Sequence, residues 1–234
     1  MNGVVTIEEA RGLVSNRLLW PRVRDFLWNF AASVHPSWVE WKLGGVKGLD
    51  FGGAGGQSDG RAALPASGRI GKFILDSLGV EPCFHDFPKE DGSRLLLLDG
   101  STLESIAMWL GALACASELR RITDGATVRA LRTALPGVYP EVFGYAEYFR
   151  GLDGWKSASP DEAVGMPARV EEAGHALLLA AAENLQEPLR RRLALKLPRK
   201  FQPSSPPALQ PSILPNIVKL LKLRFPEAYS LCCC

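Results

Sequence analysis

Histidine, cysteine and adjacent carboxylates are the side chains with which this chain could do chemistry, and their spacing limits what that chemistry could be. The three histidines, His35, His85 and His175, fall in no H-x-x-x-H, C-x-x-C or H-E-x-x-H pattern. No helix face or turn is therefore expected to gather metal ligands from them. His35 precedes Pro36 at a helix start and reads as a capping or packing group. His175 lies within a small-residue helical stretch and reads as a packed or surface histidine. Cys83 and His85 pair a potential nucleophile with a base inside one loop, but no family signature surrounds them and no G-x-S-x-G occurs. Glu8-Glu9 and Glu171-Glu172 suit solvated helix surfaces. The expected catalytic, metal and cofactor sets are empty.

Five cysteines are an odd count. Cys83 and Cys115 stand alone, and Cys232, Cys233 and Cys234 are contiguous, so the pattern is not a disulfide framework. The contiguous three lack a C-a-a-X arrangement and wrap a tetrahedral ion poorly, which predicts a packed or frayed tail over 229–234. Glycine is dense between Gly44 and Pro65, yet neither G-x-G-x-x-G nor G-x-x-x-x-G-K-[ST] is present. A flexible loop over 44–65 is expected there rather than a phosphate cradle. A net charge of +2 is too small to imply nucleic-acid binding. Two groups of side chains remain as recognition candidates. Arg120, Arg121, Arg129 and Arg132 gather at a basic corner, and Trp38 and Trp41 follow His35-Pro36. Arginine and tryptophan are frequent interface anchors, although such arginines often merely solvate a face and such tryptophans often belong to a core.

The elements that must position these residues are helical. From Ser101 to Leu135 runs an apolar helix, then the basic corner, then an amphipathic helix. The first helix has Leu103, Ile106, Leu110 and Leu113 at helical spacing, with Met108, Trp109 and Ala112 making its other side apolar as well, so it belongs in the domain centre. Ser101 and Glu104 form a capping box at its start. Gly111 among alanines predicts close helix packing. Asp124 caps the second helix, which points Val128, Leu131 and Leu135 inward. Thr6 and Glu9 open a short helix, and Arg22 to Val34 forms another. A further helix runs from Ser67 to Leu78 with Ile70, Phe73, Ile74 and Leu78 inward, stopped by Gly79. Arg94 to Leu98 is compatible with a very short strand. Pro140 to Phe149 is an aromatic helical stretch, and a long helix spans about Ala168 to Gln186. Pro188 marks a kink or restart, 198–211 is a proline-rich connector, and Ser212 caps a last helix with Lys219, Lys222 and Arg224 on its wet side. The fold class is mainly α, one compact helical domain over 1–234.

A composition of 47% hydrophobic and 22% charged residues is that of a soluble globular protein. No apolar run approaches the ~20 residues of a spanning helix. The N-terminus has early acidic residues and no signal-peptide pattern, so a cytoplasmic protein is expected.

Several blocks together resemble one family. Trp28-Asn29-Phe30 with His35-Pro36-Ser37-Trp38 is similar to the opening of the SctK family, the cytosolic sorting-platform adaptors of bacterial type III secretion systems. Trp109-Leu110-Gly111-Ala112-Leu113, then Leu119-Arg120-Arg121, Asp124-Gly125-Ala126, Val128-Arg129 and Leu131, resembles the family's central segment. The run Leu193 to Pro198, LALKLP, with its proline-rich gap and a terminal helix ending in cysteine, resembles the closing pattern. Departures are the glycine-rich insertion from Gly44 to Gly60, Thr123, Val39 in place of leucine, and the triple cysteine. The resemblance implies a non-enzymatic helical adaptor at the cytosolic face of the inner membrane. It would link the cytoplasmic domain of the inner-membrane ring (SctD-like) to the pods of the sorting platform (SctQ-like), with no nucleic acid or small-molecule substrate and membrane proximity through partners only. Two other readings compete with it. One is a small cytosolic helical enzyme using Cys83 and His85, and the other a membrane-surface protein attached through its last basic helix and tail.

Overall fold

The computed structural model describes residues 19–44, 68–81, 83, 85–88, 92–149, 152, 165–201 and 213–233. The expected helix opened by Thr6 and most of the glycine-rich loop lie outside these residues, as do the Ser212 cap and most of the proline-rich connector. The fold is mainly α, and no strand occurs among the described residues. The α-helices are α1 (Leu19–Trp28), α2 (Pro36–Leu43), α3 (Gly68–Ser77), α4 (Gly100–Ala114), α5 (Ala116–Arg121), α6 (Gly125–Ala134), α7 (Val142–Tyr145), α8 (Met166–Ala181), α9 (Glu187–Lys196), α10 (Ile213–Arg224) and α11 (Pro226–Cys233). Tight 3-10 turns cover Phe30–Ser33, Ser93–Leu97, Ala146–Phe149 and Arg199–Phe201. The chain divides into two compact units. The first comprises Met1–Gly100, Asn184–Lys200 and Ser230–Cys234, and the second Ser101–Glu183 and Phe201–Tyr229.

In the first unit α1 turns Leu19, Val23 and Phe26 inward, at the spacing of one helical face. Phe26 meets Phe30 and Phe87 edge-on, with centroids at 5.6 and 5.1 Å. Helix α9 contributes buried Leu189, Leu193 and Leu195. Helix α3 ends at Gly79, whose φ of +63° is the left-handed geometry that glycine adopts without penalty. Its inward face is narrower than the periodicity suggests. Ile74 and Leu78 are buried, but Phe73 is 50% exposed.

The short strand expected near 94–98 is not formed. Leu95, Leu96, Leu97 and Leu98 are all buried, whereas a strand would alternate them between two faces and needs a neighbour to pair with. The segment instead coils into a 3-10 turn, with Leu95 N–H donating to Gly92 O at 3.0 Å. The Lys196 ammonium donates to Leu96 O and Leu98 O, at 2.5 and 2.8 Å, satisfying carbonyls that such a turn leaves open.

The second unit is built on α4. Leu103, Ile106, Ala107, Trp109, Leu110, Gly111, Ala112, Leu113 and Ala114 are all buried, so the helix is dry on nearly every side. It starts one residue earlier than the expected cap, which puts Ser101 inside its first turn, and it breaks at Cys115 before α5. Helices α4 and α8 touch backbone to backbone. A Cβ at Gly111 would strike the carbonyl of Val170, and one at Gly174 would strike that of Ala107. Glycine at both positions is what lets the two axes approach this closely. Helix α8 stops at Ala181, short of the expected Gln186, where the Ala182 amide turns back onto Leu179 O at 3.0 Å. The aromatic stretch after Pro140 is the single turn α7 followed by a 3-10 turn rather than one helix. Residues 226–233, including most of the expected tail, are helical in α11, and Cys232 is buried.

Candidate functional site

Two of the sequence blocks singled out above, 159 residues apart at their Trp38 to Leu197 contact, are one place in the first unit. His35 N–H donates to Leu195 O at 2.7 Å, Trp38 Nε1 donates to Leu197 O at 3.0 Å, and Arg199 N–H donates to Ser37 Oγ at 3.0 Å. The His35 backbone is extended, as a residue before proline prefers, and its Nδ1 accepts from the Ser37 amide at 3.2 Å. With Pro36 in the first turn, His35 is thus the N-cap of α2. The H-P-S-W run lashes the start of α2 to the end of α9.

This lashing fixes what α2 shows to solvent. Trp38 is half-buried and meets Trp41 edge-on at 6.0 Å, while Trp41 is 53% exposed. The Arg199 guanidinium lies 4.2 Å from the centre of the Trp41 ring, and Lys42 Nζ lies 5.6 Å from it. Arg199 was not legible as a site residue. It lies 158 positions from Trp41 in the chain, and no local periodicity relates a residue after a helix-ending proline to an earlier helix.

The four corner arginines lie in the second unit and are all exposed. Arg120 is partly committed, donating to Phe143 O at 3.2 Å and lying 5.9 Å from the Phe143 ring centre. Arg121, Arg129 and Arg132 make no ion pair with a carboxylate among the described residues. Asp124 caps α6 as expected, accepting from the Thr127 amide and from Thr127 Oγ1, each at 2.7 Å. The Thr127 amide and hydroxyl hold its carboxyl below the usual carboxylate range, so it stays anionic. Trp109 is buried. Arg224, paired with Glu141 at 2.9 Å, lies 4.5 Å from the centre of its indole ring.

Burial pushes the Cys83 thiol up, against an opposing pull from Arg192, which is the reverse of nucleophile activation. His85 lies edge-on to Phe87 at 5.2 Å. His175 is buried, with Nδ1 2.7 Å from Glu171 O and its ring stacked 4.0 Å from Phe201. Two cations that sequence reading assigned to no role are interior. Arg192 donates to Phe26 O and Glu81 O at 2.8 and 3.1 Å, with its guanidinium 4.7 and 4.9 Å from the centres of the Phe26 and Phe30 rings, and Lys196 caps the leucine turn. Period-3.6 reasoning puts charges outside, and these two break the rule because carbonyls wait for them within. No group of three His, Cys, Asp or Glu that could hold a metal occurs among the described residues, nor is any helix there long and apolar enough to cross a membrane.

What these features define is a helical protein that carries indoles and uncommitted guanidinium groups on its outside, as recognition surfaces do. The family model described as YOP proteins translocation protein K (YscK) matches residues 32–232, and the chain belongs to this family of type III secretion components. No curated protein and no solved structure matches it.

Proposed function

We propose that this protein is a non-enzymatic adaptor of the type III secretion injectisome. It sits at the cytosolic face of the inner membrane and joins the cytoplasmic domain of the inner-membrane ring (SctD-like) to a pod protein of the sorting platform (SctQ-like). The observation that carries this reading is the corner between α5 and α6 in a chain that matches a secretion family over most of its length. Arg121, Arg129 and Arg132 are exposed there and their charge is spent on no described carboxylate. Such cations gain more from an anionic partner than arginines already engaged within the fold. Proximity to the membrane comes through the partners.

The test is co-purification of the full chain with the ring's cytoplasmic domain and with the pod protein. Arg121→Glu combined with Arg129→Glu is expected to weaken one of the two contacts while the far-UV circular dichroism spectrum stays unchanged. Retention of both partners by the double variant removes the basic corner as a contact. Capture of neither partner by the wild-type chain removes the adaptor role itself.

A further inference from the structure

We propose that Trp41 and Arg199 form a docking point for an acidic, aromatic-bearing segment of a partner protein. The inference deepens the adaptor reading, on which it rests, by adding a second contact in the first unit and naming the chemistry it accepts.

A guanidinium 4.2 Å from the centre of an indole ring is attracted to it, and an indole offers no hydrogen-bond acceptor, so the N–H donors are left for another group. None of those donors reaches a described carboxylate or carbonyl. Arg199 is exposed and Trp41 is 53% exposed, so a fork suited to a carboxylate stands beside a large apolar surface open to solvent.

Both groups are held in place before any partner arrives. The Arg199 backbone is tied to Ser37 Oγ, and α2, which carries Trp41, is tied to α9 through His35 and Trp38. Preorganisation of this kind lowers the ordering cost of association.

Charge selects the occupant. Among the described residues, Lys42 and Arg199 are exposed beside the Trp41 ring, and Glu40 is the carboxylate on α2. The excess is positive, and an acidic segment complements it where a basic or neutral one does not. The flat face of Trp41 accepts an aromatic or aliphatic side chain of that segment, while a carboxylate takes the fork of Arg199.

The experiment uses the full chain and a fluorescently labelled random copolymer of glutamate and tyrosine, followed by anisotropy. Co-purification with the ring and pod proteins is run in parallel. The wild-type chain is expected to bind the copolymer in a salt-sensitive manner. Trp41→Ala and Arg199→Ala should each weaken that binding by about tenfold or more, as central anchors do. Arg199→Lys, which keeps the charge but loses the planar fork, should lose most of the affinity as well. Both side chains are exposed, so circular dichroism is expected to show an intact fold in every variant.

Failure of the wild-type chain to bind the copolymer overturns the proposal, and so does unchanged binding by both alanine variants. Binding to phosphatidylserine vesicles in place of the copolymer assigns the patch to a membrane surface and also overturns it. The same holds for concentration-dependent self-association that Trp41→Ala abolishes, because the occupant is then a second copy. If the ring or pod protein is captured equally by wild type, Trp41→Ala and Arg199→Ala, this docking point fails while the adaptor reading stands. If wild type captures neither protein, the adaptor reading is what fails.

Discussion

Replacing Gly111 by alanine inverts the usual expectation for a helix interior. In an open helix the change stabilises by up to about 1 kcal/mol, because glycine costs more backbone entropy than alanine. At Gly111 the added methyl would strike Val170 O, Val170 C and the Gly174 amide nitrogen, all backbone atoms of α8 that no rotamer change can move. Relief requires α4 and α8 to separate, which loosens the buried side chains packed along both helices. Overpacking of this kind costs roughly 1–3 kcal/mol, and contact with backbone puts it at the upper end. The net loss after the propensity gain is about 1–2 kcal/mol, which lowers the melting midpoint of a chain of this size by roughly 2–8 °C. Thermal unfolding followed at 222 nm measures it. Gly144→Ala is the internal control, since a Cβ there meets nothing within 4 Å, and its midpoint should stay level or rise. Gly174→Ala presses on the same contact from the other side, so the double variant should lose less than the sum of the two singles. A Gly111→Ala midpoint at or above that of wild type, with Gly144→Ala behaving as stated, would refute the claim that these backbones touch.

Burial lowers the Lys196 ammonium to about 7, with Asp99 opposing the shift. Between that value and its ordinary one the unfolded chain binds a proton that the folded chain does not, so this group makes stability rise with pH above 7. The urea midpoint of wild type should climb between pH 7 and 8.5, and Lys196→Met should flatten that climb; equal slopes would refute it. Trp38→Phe keeps the ring but deletes the Nε1 donor to Leu197 O, and should cost about 0.5–1.5 kcal/mol in urea unfolding. No change would mean that the lashing of α2 to α9 carries no weight. Burial also raises the Cys83 thiol, so its alkylation, tracked by mass spectrometry against pH, should have a midpoint above the ordinary ~8.5. A midpoint below that value would revive a nucleophilic reading.

Local rules made much of the helical plan readable. Apolar spacing from Leu103 to Leu113 identified the dry helix, the Asp124 side chain identified the start of α6, and Gly79 marked the end of α3. They failed where a segment's state depends on distant groups. Arg94 to Leu98 reads as a short strand or as the lead-in to the next helix, and its 3-10 turn shows only once Lys196 arrives from α9 to satisfy its carbonyls. Phe73 sits on the apolar side of α3 by count, yet half of it is exposed. Of the candidate contact residues, the exposed arginines and Trp41 were nameable as types, whereas the stacking of Arg199 on Trp41 was not.

By itself the sequence determined the mainly helical class, the Asp124 cap and the blocks that mark the family, because each of these is decided within a few residues by hydrogen bonding and periodicity. Tertiary structure alone decided which blocks meet. It brought His35 to Trp38 against Leu195 to Arg199, drew Arg192 and Lys196 inside, and made Gly111 and Gly174 a contact between two helices. Those pairings join residues far apart in the chain, and their energy comes from groups that no local window contains together.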